Sequence, residues 1–342
     1  MDELKTAEFY TAFNALLSSK DDREHNILIT AHHNPDGDAL GSALGMYWFF
    51  KRYGIQARVM MPNSFPDFLL WMPGIDEVVI HDQNPSLGAD LIAKATEIFI
   101  LDFNDMSRAG ELLCTPLANA NASKYMIDHH ISPTDCADYI FSDSKQPSTS
   151  QMVLKLLSDM QMQTLLGEEG AACLFTGIIT DTGSFRFPLV SAETFRLTAN
   201  LLDMGIDHTK IYENVYDSYD DRRFRLLGSM LSQMISFGNT SILYLTLDQQ
   251  KKENMKKGDT EGFVNYGLGM KGKQIAVFMR EDEGLIRMSF RSKSNHDVNS
   301  FARKYFNGGG HLNAAGGSSK DSLTQTIANF KTAVQEFFPD IT

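Results

Sequence analysis

Five of the nine histidines of this chain fall in three places, His32-His33, His129-His130 and His311. Four of the five stand beside aspartates where an apolar run ends. The run Ile29-Thr30-Ala31 leads into His32-His33-Asn34-Pro35-Asp36-Gly37-Asp38-Ala39. The spacing His-x-x-x-Asp-x-Asp puts an imidazole and two carboxylates on one tight loop, a donor set for one or two hard or borderline divalent ions. The same residues also read as an ordinary Pro-Asp-Gly turn with Asp38 as a helix N-cap.

Three further apolar runs end in acids. Ile98-Phe99-Ile100-Leu101 is followed by Asp102, Tyr125-Met126-Ile127 by Asp128-His129-His130, and Ile178-Ile179-Thr180 by Asp181-Thr182-Gly183. Asp105 is better explained as the cap of a helix that Arg108 opens. Each acid alone has a structural reading as a loop or cap residue, but four such endings in one region favour a shared metal-centred chemistry. Imidazole and carboxylate donors without cysteine suit Mn²⁺ better than a structural zinc, leaving Mg²⁺, Co²⁺ and Fe²⁺ open. Near the C-terminus, Gly308-Gly309-Gly310-His311 offers approachable backbone N–H groups and a histidine. Arg291, upstream, offers a bidentate guanidinium for a phosphate. His25, His81, His208 and His296 carry no spacing signal, and Lys293 and Arg186 read as surface charge.

The elements that must position these residues follow from the hydrophobic pattern. Up to about residue 205, short β-rich runs alternate with helical patterns, the mark of a parallel sheet covered by helices. Strands are expected at 26–31, 56–60, 77–80, 97–102, 124–128 and 139–141. Helices are expected at 4–18, 39–53, 108–117, 149–159, 170–179 and 192–204. In such a sheet ligands gather at the carboxyl ends of strands, where the acids and histidines lie. A polar, helix-favouring stretch follows to about 237. Then strands at 241–247, 274–280 and 285–291, the last two joined as a hairpin, and helices at 298–305 and 323–338 describe a smaller mixed α/β unit. The expected organisation is therefore an N-terminal parallel-sheet α/β unit at 1–205, a helical connector at 206–237 and a mixed α/β unit at 238–342.

A length of 342 residues suits two such cores. The net charge of −12 argues against a basic surface that tracks long nucleic acid or an anionic membrane, while leaving room for a small anionic substrate at a local site. Three scattered cysteines, Cys114, Cys136 and Cys173, indicate neither a disulfide framework nor a thiolate zinc site. The acidic N-terminus lacks the pattern of a signal peptide, and the most apolar stretch, 171–180, is too short to cross a bilayer. A soluble, cytoplasmic protein is expected.

These motifs resemble those of the DHH phosphoesterases. The resemblance rests on His32-x-x-Pro35-Asp36-Gly37-Asp38-Ala39-x-Gly41-Ser42, then Asp102, then Asp128-His129-His130, then Asp181-Thr182-Gly183. It extends to Ser289-Phe290-Arg291-Ser292 and Gly308-Gly309-Gly310-His311-x-x-Ala314-Ala315-Gly316, which are similar to the substrate-binding domain that accompanies that family. Asp181-Thr-Gly-Ser-Phe-Arg-Phe187 and Val264-Asn265 look most like the bacterial nanoRNases. The resemblance implies a DHH catalytic domain first and a substrate-binding domain last, with the active site in the cleft between them. It implies that His32, Asp36 and Asp102 hold one Mn²⁺ and that Asp38, Asp102, His129 and Asp181 hold a second, Asp102 bridging. His130 would face the substrate phosphate, with Asp102 and His130 as the residues closest to the chemistry. Arg291, Gly308, Gly309, Gly310 and His311 would anchor the substrate. The implied activity is hydrolysis of very short oligoribonucleotides to mononucleotides and removal of the 3′-phosphate of 3′-phosphoadenosine 5′-phosphate. A phosphodiesterase of cyclic dinucleotides or their linear products is the alternative. The implied partners are short oligonucleotides and nucleotide phosphates, with neither long nucleic acid nor membrane, and a homodimer is left open.

Overall fold

The strand Ile27–Thr30 (β1) and the strand Glu97–Leu101 (β4) are buried along their whole length, as apolar runs must be when both faces of a sheet are covered. Their side chains alternate between two cores. Ile27, Ile29, Phe99 and Leu101 enter one, and Leu28, Ile98 and Ile100 enter the other. The computed structural model, which describes residues 2–19, 25–256 and 258–341, divides into two compact units, 1–218 and 219–342.

In the first unit, Ala57–Met61 (β2), Val79–Ile80 (β3), Ser123–Asp128 (β5) and Tyr139–Ser142 (β6) complete a sheet of order β3-β2-β1-β4-β5-β6. Its neighbouring strands pair in parallel. The chain builds outward from β1 on one side and then returns to build from β4 on the other. The carboxyl ends of β1 and β4 therefore flank the point where strand order reverses, the usual ligand crevice of such folds.

Helix Gly37–Tyr53 starts at that crevice. Asp36 is its N-cap, accepting from the N–H groups of Asp38 (3.0 Å) and Ala39 (3.1 Å), and Gly54 ends it in the left-handed conformation. Gly37, Gly41 and Gly45, one turn apart, face helix Gly167–Asp181. A Cβ on Gly41 would lie 2.6 Å from the Cys173 carbonyl oxygen and 2.9 Å from the Gly177 nitrogen. Backbone cannot yield as a side chain does, so glycine is what lets the two helices touch. The helix start that bears Asp38 is thereby held against the helix end that bears Asp181. Gly41→Val should destabilise the first unit by about 3 kcal/mol, the upper end of ordinary overpacking costs. Chemical denaturation checks this, and a wild-type midpoint would show that the helices have room to part.

The sequence pattern and the structure differ in places. The helix expected from Arg108 is broken: Met106–Ala109 forms a 3₁₀ turn, Gly110 sits at φ 87°, and an α-helix resumes at Glu111–Asn119. Helix Pro85–Lys94 was not anticipated, although Asn84 caps it and Pro85 opens it. The polar stretch after residue 205 divides between the units. Helix His208–Tyr216 packs Ile211 and Val215 into the first core, and helix Asp221–Ser232 packs Leu226 and Met230 into a core of the second.

The second unit holds the strands Ile235–Phe237 (β7), Thr240–Leu245 (β8), Ile275–Asp282 (β9), Leu285–Ser292 (β10), Gly309–His311 (β11) and Ala314–Ser319 (β12), ordered β11-β12-β10-β9-β8-β7. The β9–β10 hairpin is antiparallel, as expected, and β8 joins β9 in parallel. The glycine cluster is an edge of this sheet. A Cβ on Gly308 would meet the Gly316 oxygen at 2.0 Å, and one on Gly310 would meet the Ala314 oxygen at 2.4 Å. Among the described residues no helix is long and apolar enough to cross a membrane.

Candidate metal centre

Each strand end at the crevice delivers one part of a compact cluster. Asp102 follows β4 in the left-handed conformation, at φ 64°, unusual for a residue with a Cβ and a strain that recurs at functional sites. Its N–H donates to the Ile127 carbonyl at 3.1 Å, and the residue is 2% exposed. The two carboxylate oxygens face different histidines. Oδ2 lies 3.3 Å from His32 Nε2, and Oδ1 lies 3.5 Å from His129 Nε2. The Thr149 hydroxyl donates to Oδ1 at 2.9 Å.

Around His32, Asp36 Oδ1 stands 3.9 Å from Nε2. Around His129, Asp181 Oδ2 stands at 3.3 Å and Asp38 Oδ2 at 3.9 Å from Nε2. The ligand atoms of His32, Asp36 and Asp102 lie within 4.8 Å of one another, as do those of Asp38, His129 and Asp181. The other ring nitrogens are turned to backbone: His32 Nδ1 to the His33 carbonyl (3.0 Å) and His129 Nδ1 to the Gln146 carbonyl (3.2 Å). An Nδ1–H donated to a carbonyl fixes the ring and leaves Nε2 as the atom offered to a cation.

Asp38, 1% exposed, is not a cap of its own helix. Its carboxylate accepts from the Thr149 (2.6 Å) and Ser150 (2.8 Å) N–H groups, at the start of helix Thr149–Asp159. That anion therefore sits at the positive end of a helix over a hundred residues away in sequence.

The electrostatics show a centre short of positive charge. Burial, and then the charges of Asp102 and Asp181, push the Asp38 carboxyl well above its ordinary range. Burial pushes Asp102 the same way, but hydrogen bonds from His129 and His32 outweigh it and hold this carboxyl well below the usual value. Burial pulls His32 down, yet the Asp102 hydrogen bond and the charges of Asp36 and Asp102 carry it up to about 9. His129 is likewise raised well above its ordinary value: burial opposes, while the Asp102 bond and the Asp181 charge prevail. Among the described residues no Lys or Arg forms an ion pair with Asp38 or Asp102. The acids are thus matched by imidazolium protons, which divalent ions would displace. Oxygen and imidazole donors, two buried carboxylates and fixed Nε2 atoms fit such ions, so these residues are positioned to bind metal.

His130 is arranged differently. Its N–H and its Nδ1 both bond the fully buried Asp128 carboxylate, at 2.8 and 2.7 Å, and Nε2 faces Arg108 Nη2 at 3.1 Å. Burial lowers its pKa. Asn104 and Arg108 belong to this neighbourhood without any spacing signal that singles them out, whereas Asp128 is the acid that ends its own apolar run. Asn104 Nδ2 donates to the carbonyls of His130 (3.0 Å) and Ile131 (3.2 Å).

The remaining marked residues lie on the second unit. Arg291 of β10 and His311 of β11 both register with Ala314 of the intervening β12. They therefore share one face of the sheet, on either side of a methyl group. Gly310 N–H donates to Asn299 Oδ1 at 2.8 Å.

The model of the DHH family N-terminal domain matches residues 26–178, and that of the DHHA1 domain matches residues 239–340. The chain is 31% identical to the bifunctional oligoribonuclease and PAP phosphatase NrnA of Thermus thermophilus, over 92% of this chain and 90% of that protein. The crystal structure of an exopolyphosphatase-related protein from Bacteroides fragilis shares its fold with a TM-score of 0.92 at 36% identity, covering 97% of each chain. The cyclic-di-AMP phosphodiesterase GdpP of Bacillus subtilis is 24% identical over 92% of this chain but 48% of its own length. The chain belongs to the DHH phosphoesterase family and is a hydrolase.

Proposed function

We propose that the protein hydrolyses very short oligoribonucleotides to mononucleotides and removes the 3′-phosphate of 3′-phosphoadenosine 5′-phosphate, using two divalent ions, Mn²⁺ before others. The observation that carries this reading is the shared Asp102, one oxygen toward each histidine, in a chain similar over 92% of its length to an oligoribonuclease and PAP phosphatase. His32, Asp36 and Asp102 would hold one ion, and Asp38, Asp102, His129 and Asp181 the other. When bound, such a pair supplies Lewis acidity and makes water a nucleophile at neutral pH.

The overall reaction adds water across one P–O bond: the water oxygen joins phosphorus, and the departing ribose oxygen ends with a proton. The chain's own residues prepare that event. Backbone carbonyls hold the His32 and His129 rings, and two helix N–H groups hold the Asp38 carboxylate. His130 stands on the substrate-phosphate side of the centre, directly or through the group it holds, and Arg291 and His311, with the glycine edge Gly308, Gly309 and Gly310, anchor a terminal phosphate. The net charge of −12 favours small substrates over long strands.

The similarity to GdpP supports a second reading, hydrolysis of cyclic dinucleotides or their linear products by the same centre. Turnover of a panel of RNAs of two to twenty nucleotides, cyclic dinucleotides and 3′-phosphoadenosine 5′-phosphate with Mn²⁺ separates the two. Dinucleotides and 3′-phosphoadenosine 5′-phosphate should be the fastest substrates. Faster opening of cyclic dinucleotides would establish the second reading instead.

A further inference from the structure

Arg108 lies at the metal centre without a carboxylate partner. Among the described residues it forms no ion pair with a carboxylate, yet its charge is felt at His32. Its guanidinium is held by a relay. Asp128 accepts from His130 Nδ1 at 2.7 Å, so the proton of this ring is on Nδ1 and Nε2 is an acceptor. Arg108 Nη2 donates to that Nε2 at 3.1 Å.

The backbone is fixed as firmly. The Arg108 carbonyl accepts from His33 N–H at 2.7 Å, and its N–H donates to the Asp105 carbonyl at 2.9 Å. Asp105 in turn caps the turn through Ser107 N–H, at 2.8 Å. The loop that follows β1, with His32 and Asp36 on it, is thus tied to the residue that carries the guanidinium. One N–H is engaged by His130, and the planar fork has five. The Asp105 carboxylate feels this charge but is bonded to Ser107, and a preorganised arginine beside a metal centre with no carboxylate in contact suits an oxyanion that arrives with the substrate.

We propose that Arg108 binds the phosphoryl oxygens of the substrate at the metal centre, and that Asp128 and His130 are positioning residues that act through it. This rests on the phosphoester reading above. It assigns the catalytic contact to Arg108, with His130 one step removed.

The test uses the full-length, Mn²⁺-loaded enzyme. Arg108→Met should retain its metal by elemental analysis, bind inorganic phosphate more weakly by calorimetry, and lose on the order of 10²–10³-fold in kcat/KM on a dinucleotide, as when one donor to a developing oxyanion is removed. Millimolar guanidinium should partly restore turnover to Arg108→Gly and not to Asp102→Ala. His130→Ala should slow the wild type but add little in the Arg108→Met background, a coupling that a merely structural histidine would not show. Wild-type kinetics and phosphate binding in Arg108→Met, its loss of metal, or strictly additive effects of the two substitutions would overturn the proposal. A wild-type enzyme inert on every phosphoester of the panel would instead overturn the reading on which it rests.

Discussion

Asp102→Ala is expected to abolish turnover of every phosphoester and to lower the metal content of the purified protein. Asp102 is the residue with a carboxylate oxygen toward each of His32 and His129, so its loss removes a donor from both ligand groups at once. The effect should exceed the ~10²–10³-fold cost of losing a single charge-stabilising group. In the metal-free protein the same change leaves two buried imidazolium ions without their principal acid, a loss of about 3–5 kcal/mol for a broken buried pair. The sign of the accompanying pH dependence is fixed by the imidazoles. His32 is raised to about 9, so its contribution to metal-free stability is complete below an ordinary imidazole pKa and is lost as pH rises toward 9. Asp102, held low, contributes in full above the ordinary carboxylate range and loses that contribution as pH falls below this range toward its own depressed pKa. Asp105→Ala is the control for metal content, costing about 1 kcal/mol through a lost cap. Near-wild-type turnover of Asp102→Ala in chelator-treated buffer with added Mn²⁺ would remove Asp102 from the centre.

That prediction could be framed from sequence because the centre is built at strand ends. Fully buried strands such as Ile98–Leu101 leave continuous apolar runs, and the first polar residue beyond each run stands out. The other four strands of the first sheet are legible from their apolar residues as well, although only β1 and β4 are buried along their whole length. The partners of those residues were not. The N–H groups that hold Asp38 come from Thr149 and Ser150, and the atom that meets Arg108 comes from His130, twenty-two residues on. Such contacts are set by the packing of helices on a sheet, which no local period records. β11 and β12 escaped for another reason. Their glycines are depleted from strands in general, and at Gly308 and Gly310 one is required because the neighbouring backbone approaches too closely for a Cβ. A cluster that reads as a loop is therefore the edge of a sheet.

Arg291→Ala should raise KM for dinucleotides while largely sparing kcat. Arg291 and His311 flank Ala314 on one sheet face, and the proposed role of that pair is to hold a terminal phosphate that does not react. An interaction made equally in ground and transition states lowers KM without raising kcat. Removing one charged partner of such a contact costs about 2–5 kcal/mol where the pair is desolvated, and at 1.36 kcal/mol per tenfold the lower figure is a roughly thirtyfold rise in KM. The same anchoring sets a length limit. A chain of net charge −12 attracts an anion only where local cations or bound metal reverse its field, so nucleotides beyond the anchored end gain little and meet repulsion. Rates should therefore fall as RNA lengthens beyond a few residues, and raising the salt should flatten that decline by screening the repulsion. Efficient degradation of long single strands by the intact enzyme, or unchanged dinucleotide kinetics in Arg291→Ala, would show that the terminal phosphate is held elsewhere.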